Sequence, residues 1–153
     1  MRIVMLSVNH RTAPVELREK LALADERFDD AIRQMRAAYP QAEVVIISTC
    51  NRTEMYVARA SHEPPSIDDM RAVCSQLGQV SVDDITAASI HRENEEAVRH
   101  LYRVVTGLES MVLGEAEILG QLKRNYERAA QLDAVGPVLH MVFQQAITDA
   151  KRL

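Results

Sequence analysis

Four β-branched residues in succession, Val44-Val45-Ile46-Ile47, constrain this chain more than any other feature. Branching at Cβ suits the pleat of a strand and crowds a helical turn, so the run predicts a buried strand over 43–48. The polar cluster Thr49-Cys50-Asn51-Arg52-Thr53 predicts the loop that ends it. Met55, Tyr56 and Val57 then mark a second strand over 54–59. Two strands joined this closely predict a hairpin with Cys50 at its tip or rim.

The other patterns fall into place around that hairpin. Ile3–Val8 reads as a first strand, and Asn9-His10-Arg11-Thr12-Ala13-Pro14 as a turn into a helix, with Thr12 as N-cap and Pro14 in the first turn. Phe28, Ala31, Ile32, Met35 and Ala38 have helical spacing over 25–39, and Pro40 stops that helix. Ser66 caps a helix over 67–77 that Gly78 ends, and a strand over 85–91 follows. The fold class predicted is α+β: a ferredoxin-like β-α-β-β-α-β sandwich over 1–92, then a C-terminal helical subdomain over 93–153. In that second part Asn94 caps a helix with the stripe Ala97, Leu101, Val104, Val105 and Leu108, ended by Gly107. A helix over 115–132 carries Ile118, Leu122, Tyr126 and Ala129 on one face. Another starts near Pro137, and the chain closes inside it with no stop signal, which predicts a piece of a longer protein.

Aromatic residues are 4% of the chain against 47% hydrophobic, so the expected core is aliphatic. The net charge of −4 argues against a chain that grips long nucleic acid through a general basic surplus. It leaves room for a local basic strip, for which Lys123, Arg124 and Arg128 are candidates. No stretch has the length of a signal peptide core or membrane span. Two cysteines, Cys50 and Cys74, without metal-type spacing predict no disulfide framework, no metal and a reducing, cytoplasmic setting.

Cys50 has two readings: a cysteine that packs, or a reactive thiol. Its neighbours Thr49, Asn51, Arg52 and Glu54 favour the second, because a packing cysteine wants apolar surroundings. Arg52 places positive charge nearby, which favours the nucleophilic thiolate, and its planar fork suits a carboxylate. His100 sits on the edge of the Ala97–Leu101–Val104 stripe, as a satisfied core histidine or as a catalyst.

Three stretches together carry a resemblance. They are Val8-Asn9-His10-Arg11-Thr12-Ala13-Pro14, then Ser48-Thr49-Cys50-Asn51-Arg52-Thr53-Glu54, then His100-Leu101-Tyr102-Arg103 with Gly107-Leu108-Glu109-Ser110-Met111-Val112-Leu113-Gly114-Glu115-Ala116-Glu117-Ile118-Leu119-Gly120-Gln121-Leu122-Lys123. Over nearly the whole chain these resemble the N-terminal catalytic domain of glutamyl-tRNA reductase. The resemblance implies that Cys50 attacks the ester of glutamyl-tRNA(Glu), giving a glutamyl thioester that NADPH reduces to glutamate-1-semialdehyde in tetrapyrrole synthesis. It implies acid–base work for His100, and substrate binding by Thr49, Asn51, Arg52, Ser110, Glu115, Ala116, Glu117 and Gln121. Position 116 departs from the family, which holds a polar residue there, and Ser7 stands where glycine is common. The resemblance further implies an NADPH-binding domain, a linking helix and a dimerisation domain outside this chain, a homodimer, and glutamate-1-semialdehyde aminomutase as partner. With five glycines and no Gly-x-Gly-x-x-Gly, the chain itself carries no dinucleotide fingerprint.

Two other readings remain. A non-catalytic ferredoxin-like regulatory or binding module has no need of a reactive thiol. A thiol hydrolase or transferase unrelated to tRNA would turn over small glutamyl esters.

Overall fold

A computed structural model describes residues 1–109 and 117–152. Strands β1 (Arg2–Asn9), β2 (Glu43–Ser48), β3 (Arg52–Arg59) and β4 (Ile90–Glu93) form one antiparallel sheet in the order β2-β3-β1-β4. This is the strand order of the ferredoxin-like sandwich. Helices α1 (Val15–Leu21), α2 (Asp25–Ala38), α3 (Ile67–Gly78) and α4 (Val82–Ala88) lie between the strands in sequence. Helices α5 (Glu95–Val105), α6 (Glu117–Gln131) and α7 (Pro137–Lys151) follow the last strand.

Side chains alternate across the pleat, so the pairing decides what each face carries. Ser7 pairs with Glu54, Asn9 with Arg52 and Met5 with Tyr56, and these six share one face. Val4, Leu6, Val8, Met55 and Val57 point to the other. The helices α1, α2 and α3 cover this second face: Thr53 Oγ1 donates to the Leu21 carbonyl at 2.9 Å, and Ser48 Oγ accepts from Leu23 N at 2.8 Å. Helices α5 and α7 cover the first face, where Tyr56 meets the Phe143 ring edge-on at a centroid distance of 5.3 Å. Phe143 in turn stacks on Tyr126 of α6 at 5.6 Å. The core thus has Phe28 among aliphatic side chains on one side of the sheet and an aromatic knot on the other. Apolar residues of β1, β2 and β3 and of all seven of these helices, Ile85 of α4 and Leu139 of α7 included, form one continuous buried cluster.

The outer strand β2 is kept from exposing an open edge. Ser48 N donates to Asn125 Oδ1 of α6 at 2.7 Å, and Val44 N to the Ala134 carbonyl at 2.9 Å. The buried carboxylate of Glu43 accepts from Gly136 N at 2.9 Å and Leu139 N at 2.8 Å, capping α7 from the sheet. A Cβ at Gly136 would stand 2.7 Å from Glu43 Cδ, so only glycine permits this approach.

Several expectations need correction. The strand expected over 85–91 is two elements: α4 ends at Ala88 and β4 begins at Ile90. Ser81 Oγ accepts from Asp84 N at 3.1 Å, a helix cap that recruits Val82, Ile85 and Ala88 into a helical repeat. Thr12 is not an N-cap; its Oγ1 accepts from Asn9 N at 3.0 Å and closes the preceding turn, leaving Pro14 at the cap position. Asn94 occupies the cap position of α5 without capping it; its Oδ1 accepts from Ile3 N at 3.0 Å and anchors the start of β1. Leu108 lies past the end of α5 and is exposed. The left-handed residue after α3 is Gln79, with φ 53°, rather than Gly78. The basic strip on α6 is largely neutralised, with Arg128 paired to Asp29 at 2.8 Å and 2.5 Å, and Lys123 3.9 Å from Glu127.

Candidate active site

The hairpin apex presents the thiol. Thr49 N donates to the Arg52 carbonyl at 2.9 Å, closing the hairpin so that only Cys50 and Asn51 protrude. Cys50 is a free, exposed cysteine. Thr49 Oγ1 accepts from Asn51 N at 3.2 Å, and Asn51 Oδ1 accepts from Arg18 Nη1 at 3.4 Å, so the apex is braced from within and from α1. Cys74, the other thiol, is buried in α3, and burial pushes it up to about 12, far from thiolate at neutral pH.

Beneath the apex, polar residues occupy a stretch of the first face where apolar ones would ordinarily sit. Its hub is Glu54, fully buried, with Oε2 accepting from Arg52 Nη1 at 2.8 Å and Ser7 Oγ at 2.7 Å. His100 Nε2 lies 2.6 Å from the same oxygen, and Tyr56 OH donates to Oε1 at 2.9 Å. Burial by itself raises Glu54. The hydrogen bond and charge of His100, the charge of Arg52 and the Ser7 hydroxyl overcome that and bring the carboxyl down to about 2. The hub is therefore ionised at neutral pH and can only accept. An ionised carboxylate needs a donor, so the proton between them sits on His100 Nε2, and among the described residues Nδ1 has no hydrogen-bond partner. Burial first, and then the Glu54 charge, hold the Tyr56 hydroxyl protonated well past its ordinary range.

Arg52 is itself 2% exposed, and its second terminal nitrogen donates to the Glu109 backbone carbonyl. Its guanidinium is thus half of a buried ion pair, not a lone cation beside the sulfur. The Glu109 carboxylate reaches the other way, 3.2 Å from Arg11 Nη1 and 3.7 Å from Arg103 Nη1. Asn9 Nδ2 donates to Ser7 Oγ at 2.8 Å, and its Oδ1 accepts from Arg11 N at 2.9 Å, which ties the turn after β1 to the same network. A cleft of about 410 Å3 opens here, lined by Asn9, Arg11, Thr12, His100, Arg103 and Glu109 among others.

The fold therefore brings Arg52 and His100, 48 positions apart in the chain, onto one carboxylate, with Cys50 two residues before Arg52 at the same end of the sheet. Among the described residues no hydrogen bond joins the Cys50 sulfur to His100 or Arg52. Glu117 is exposed at the start of α6, and Gln121 follows one turn later, half-buried. Ser110, Glu115 and Ala116 lie outside the described residues. Sequence reasoning missed Glu54 as the hub, along with Ser7, Asn9 and Glu109. The signal for Glu54 was there: a period of two places Arg52, Glu54 and Tyr56 on one face of a strand whose neighbours are buried. His10, beside this network, has its Nδ1 buried with no hydrogen-bond partner among the described residues. Burial, then the charges of Arg52, Arg11 and Arg18, lower its affinity for a proton. Among the described residues no group of acidic, histidine and cysteine side chains is arranged to hold a metal, and no helix is long and apolar enough to cross a membrane.

Comparison with known proteins places the chain in a family. Residues 6–153 match the family described as glutamyl-tRNAGlu reductase, N-terminal domain. The glutamyl-tRNA reductase of Marinobacter nauticus is 44% identical over 153 residues, covering 100% of this chain and 35% of that protein. That of Shouchella clausii is 39% identical, covering 100% of this chain and 34% of its own length. The solved glutamyl-tRNA reductase from Methanopyrus kandleri superposes with a TM-score of 0.76 at 37% identity, over 98% of this chain and 33% of that one. The chain thus spans about a third of the length of the relatives it matches. On the strength of a match that runs almost end to end, and of a fold shared with a solved member, this chain belongs to the glutamyl-tRNA reductase N-terminal domain family.

Proposed function

We propose that this chain is the acyl-transfer domain of a glutamyl-tRNA reductase. The observation that carries the reading is Cys50, exposed at a braced hairpin apex at the end of the sheet that holds a buried Arg52–Glu54–His100 network. The Cys50 thiolate attacks the carbonyl carbon of the glutamyl ester. A C–S bond forms, the bond to the ribose oxygen breaks, and that oxygen leaves as the free 3′-terminal hydroxyl once protonated. His100 is assigned that proton transfer through Nδ1, because Glu54 holds Nε2. Thr49, Asn51, Arg52, Ser110, Glu115, Ala116, Glu117 and Gln121 are assigned to the glutamyl group, Arg52 through the donors that Glu54 and Glu109 leave. Residues 1–92 are assigned as the ferredoxin-like core that carries the thiol, and residues 93–153 as the helical part of the same domain, which supplies His100.

Reduction is assigned elsewhere. NADPH supplies hydride in the whole enzyme, yet this sheet does not fit a dinucleotide. Its strands are all antiparallel, and Gly78 and Gly136 are consumed by packing on Leu21 and Glu43 rather than lining a strand-to-helix phosphate turn. No reduction step is routed through these residues. Homodimerisation through a segment outside this chain, hand-over of glutamate-1-semialdehyde to the aminomutase, and a cytoplasmic location complete the proposal.

Incubation with radiolabelled glutamyl-tRNA, followed by peptide mass spectrometry, tests it. Label is expected on the Cys50 peptide, absent in Cys50→Ala and retained in Cys74→Ala. Thioester label of wild-type amount in Cys50→Ala would overturn the assignment.

A further inference from the structure

The cleft beside the hairpin is cationic in a chain whose net charge is −4. Four arginines line it, Arg11, Arg92, Arg99 and Arg103, against two carboxylates, Glu96 and Glu109. They come from three separate elements: the turn after β1, strand β4, and two successive turns of α5. Arg99 and Arg103 stand four residues apart, about 6 Å along the helix axis. The side chains of Arg11 and Arg103 are each 57% exposed, although both lean on the largely buried Glu109 carboxylate. That shared anchor holds two guanidiniums in place while, among the described residues, most of their donors stay free. Arg99 is 55% exposed and braced by Glu95 and Glu96 at 3.2 Å and 2.8 Å. Arg92 makes no ion pair among the described residues; its Nη1 donates to the His91 carbonyl at 2.7 Å.

Position selects the ligand. Asn9, on the cleft wall, pairs with Arg52 two residues from Cys50, so the cleft opens at the end of the sheet that carries the thiol. A row of guanidiniums suits a negative charge repeated along a strand better than a single carboxylate. The substrate assigned above carries such charges, since the ester and the nearest phosphate belong to the same terminal nucleotide. Among the described residues the cleft lining includes no Phe, Tyr or Trp, and His100 is buried and held on Glu54, which directs recognition to the backbone rather than the bases.

We propose that Arg11, Arg92, Arg99 and Arg103 form a phosphodiester clamp for the single-stranded 3′ end of the RNA, holding its terminal ester at the hairpin apex. The inference rests on the acyl-transfer reading and deepens it. The clamp fixes the strand independently of sequence, and guanidinium forks are the side chains best matched to phosphate oxygens.

Binding of a fluorescein-labelled oligoribonucleotide ending in CCA to the 153-residue chain, followed by anisotropy over a salt series, tests this. Arg92→Ala and Arg99→Ala are each expected to weaken binding several-fold. Each should also flatten the slope of log affinity against log salt by about 0.7 for every phosphate left without its guanidinium. The double reversal Arg92→Glu/Arg99→Glu is expected to lower affinity more than tenfold, whereas Arg33→Glu, exposed on α2 in the opposite layer, should change neither quantity. Both cleft residues are exposed, and a matching circular dichroism melt establishes that the variants fold. Unchanged affinity and slope in the double variant would overturn the clamp. So would arginine-dependent binding of NADPH or inorganic phosphate without binding of the RNA. The readout needs no acylation: Cys50 that fails to take glutamate while RNA binding keeps its arginine dependence sinks the acyl-transfer reading and leaves the clamp standing.

Discussion

The two faces of one sheet are built on opposite principles. Beneath α1, α2 and α3 the strands offer Val4, Leu6, Val44, Ile46, Met55 and Val57, all buried and all apolar. Beneath α5 and α7 the same strands offer Ser7, Asn9, Arg52 and Glu54, equally buried and linked through one carboxylate. The face under α1, α2 and α3 stabilises by removing hydrocarbon from water and tolerates apolar side chains of suitable volume. The network under α5 and α7 depends on each partner being present, since a half-satisfied buried network is worse than none. The polar network is confined to one face, where it sits beside Met5, Val45, Ile47 and the Tyr56–Phe143 contact, which continue the apolar core.

The largest test of that contrast is Glu54→Gln. It leaves Arg52 buried without its counter-charge and is expected to cost about 3–5 kcal/mol in urea unfolding at pH 7. It should also abolish Cys50 acylation. The same variant carries a pH signature. The folded carboxyl titrates at about 2 against an ordinary 4.5, so its stabilising contribution is whole above the ordinary value and drains away as pH falls through the folded one. Wild-type stability should therefore fall between those two values by roughly 3 kcal/mol more than that of Glu54→Gln. Identical acid profiles for the two proteins would remove Glu54 from the hub.

On the apolar face the counterpart is Ile32→Ala, which opens a cavity under a fully buried side chain of α2. A loss of about 2–5 kcal/mol is expected, with Cys50 acylation retained at a temperature where the variant stays folded. Loss of acylation in the folded variant would mean that the two faces are coupled. The smallest effect belongs to neither face. Ser66 and Asp69 form a reciprocal capping box at the start of α3, with bonds of 3.0 Å and 2.9 Å. Ser66→Ala should cost about 1 kcal/mol, read as a lower melting temperature with no change at the site.

Much of this was written in local pattern. The β-branched run over 44–47, the caps at Ser66 and Ser81, and the repeats of Phe28–Met35 and Ala97–Val105 specify their elements through neighbours a few residues away. Even the misread strand near Ile85 had a local cause, a serine cap whose helix was too short to stand out. Glu54 was different. Its place in the strand was legible, but its burial made sense only once Ser7 and His100 arrived from elsewhere in the chain to join Tyr56 in satisfying it.

From the sequence alone follow β1, β2 and β3, most helices, the strand order class and a thiol at a hairpin apex, because hydrophobic periodicity and turn chemistry act over a few residues. Only tertiary structure decided that Arg52 faces inward, that His100 meets Glu54, and that four arginines from three elements converge on one cleft. Charge needs a partner or solvent, and which of the two a side chain finds depends on what the rest of the chain packs beside it.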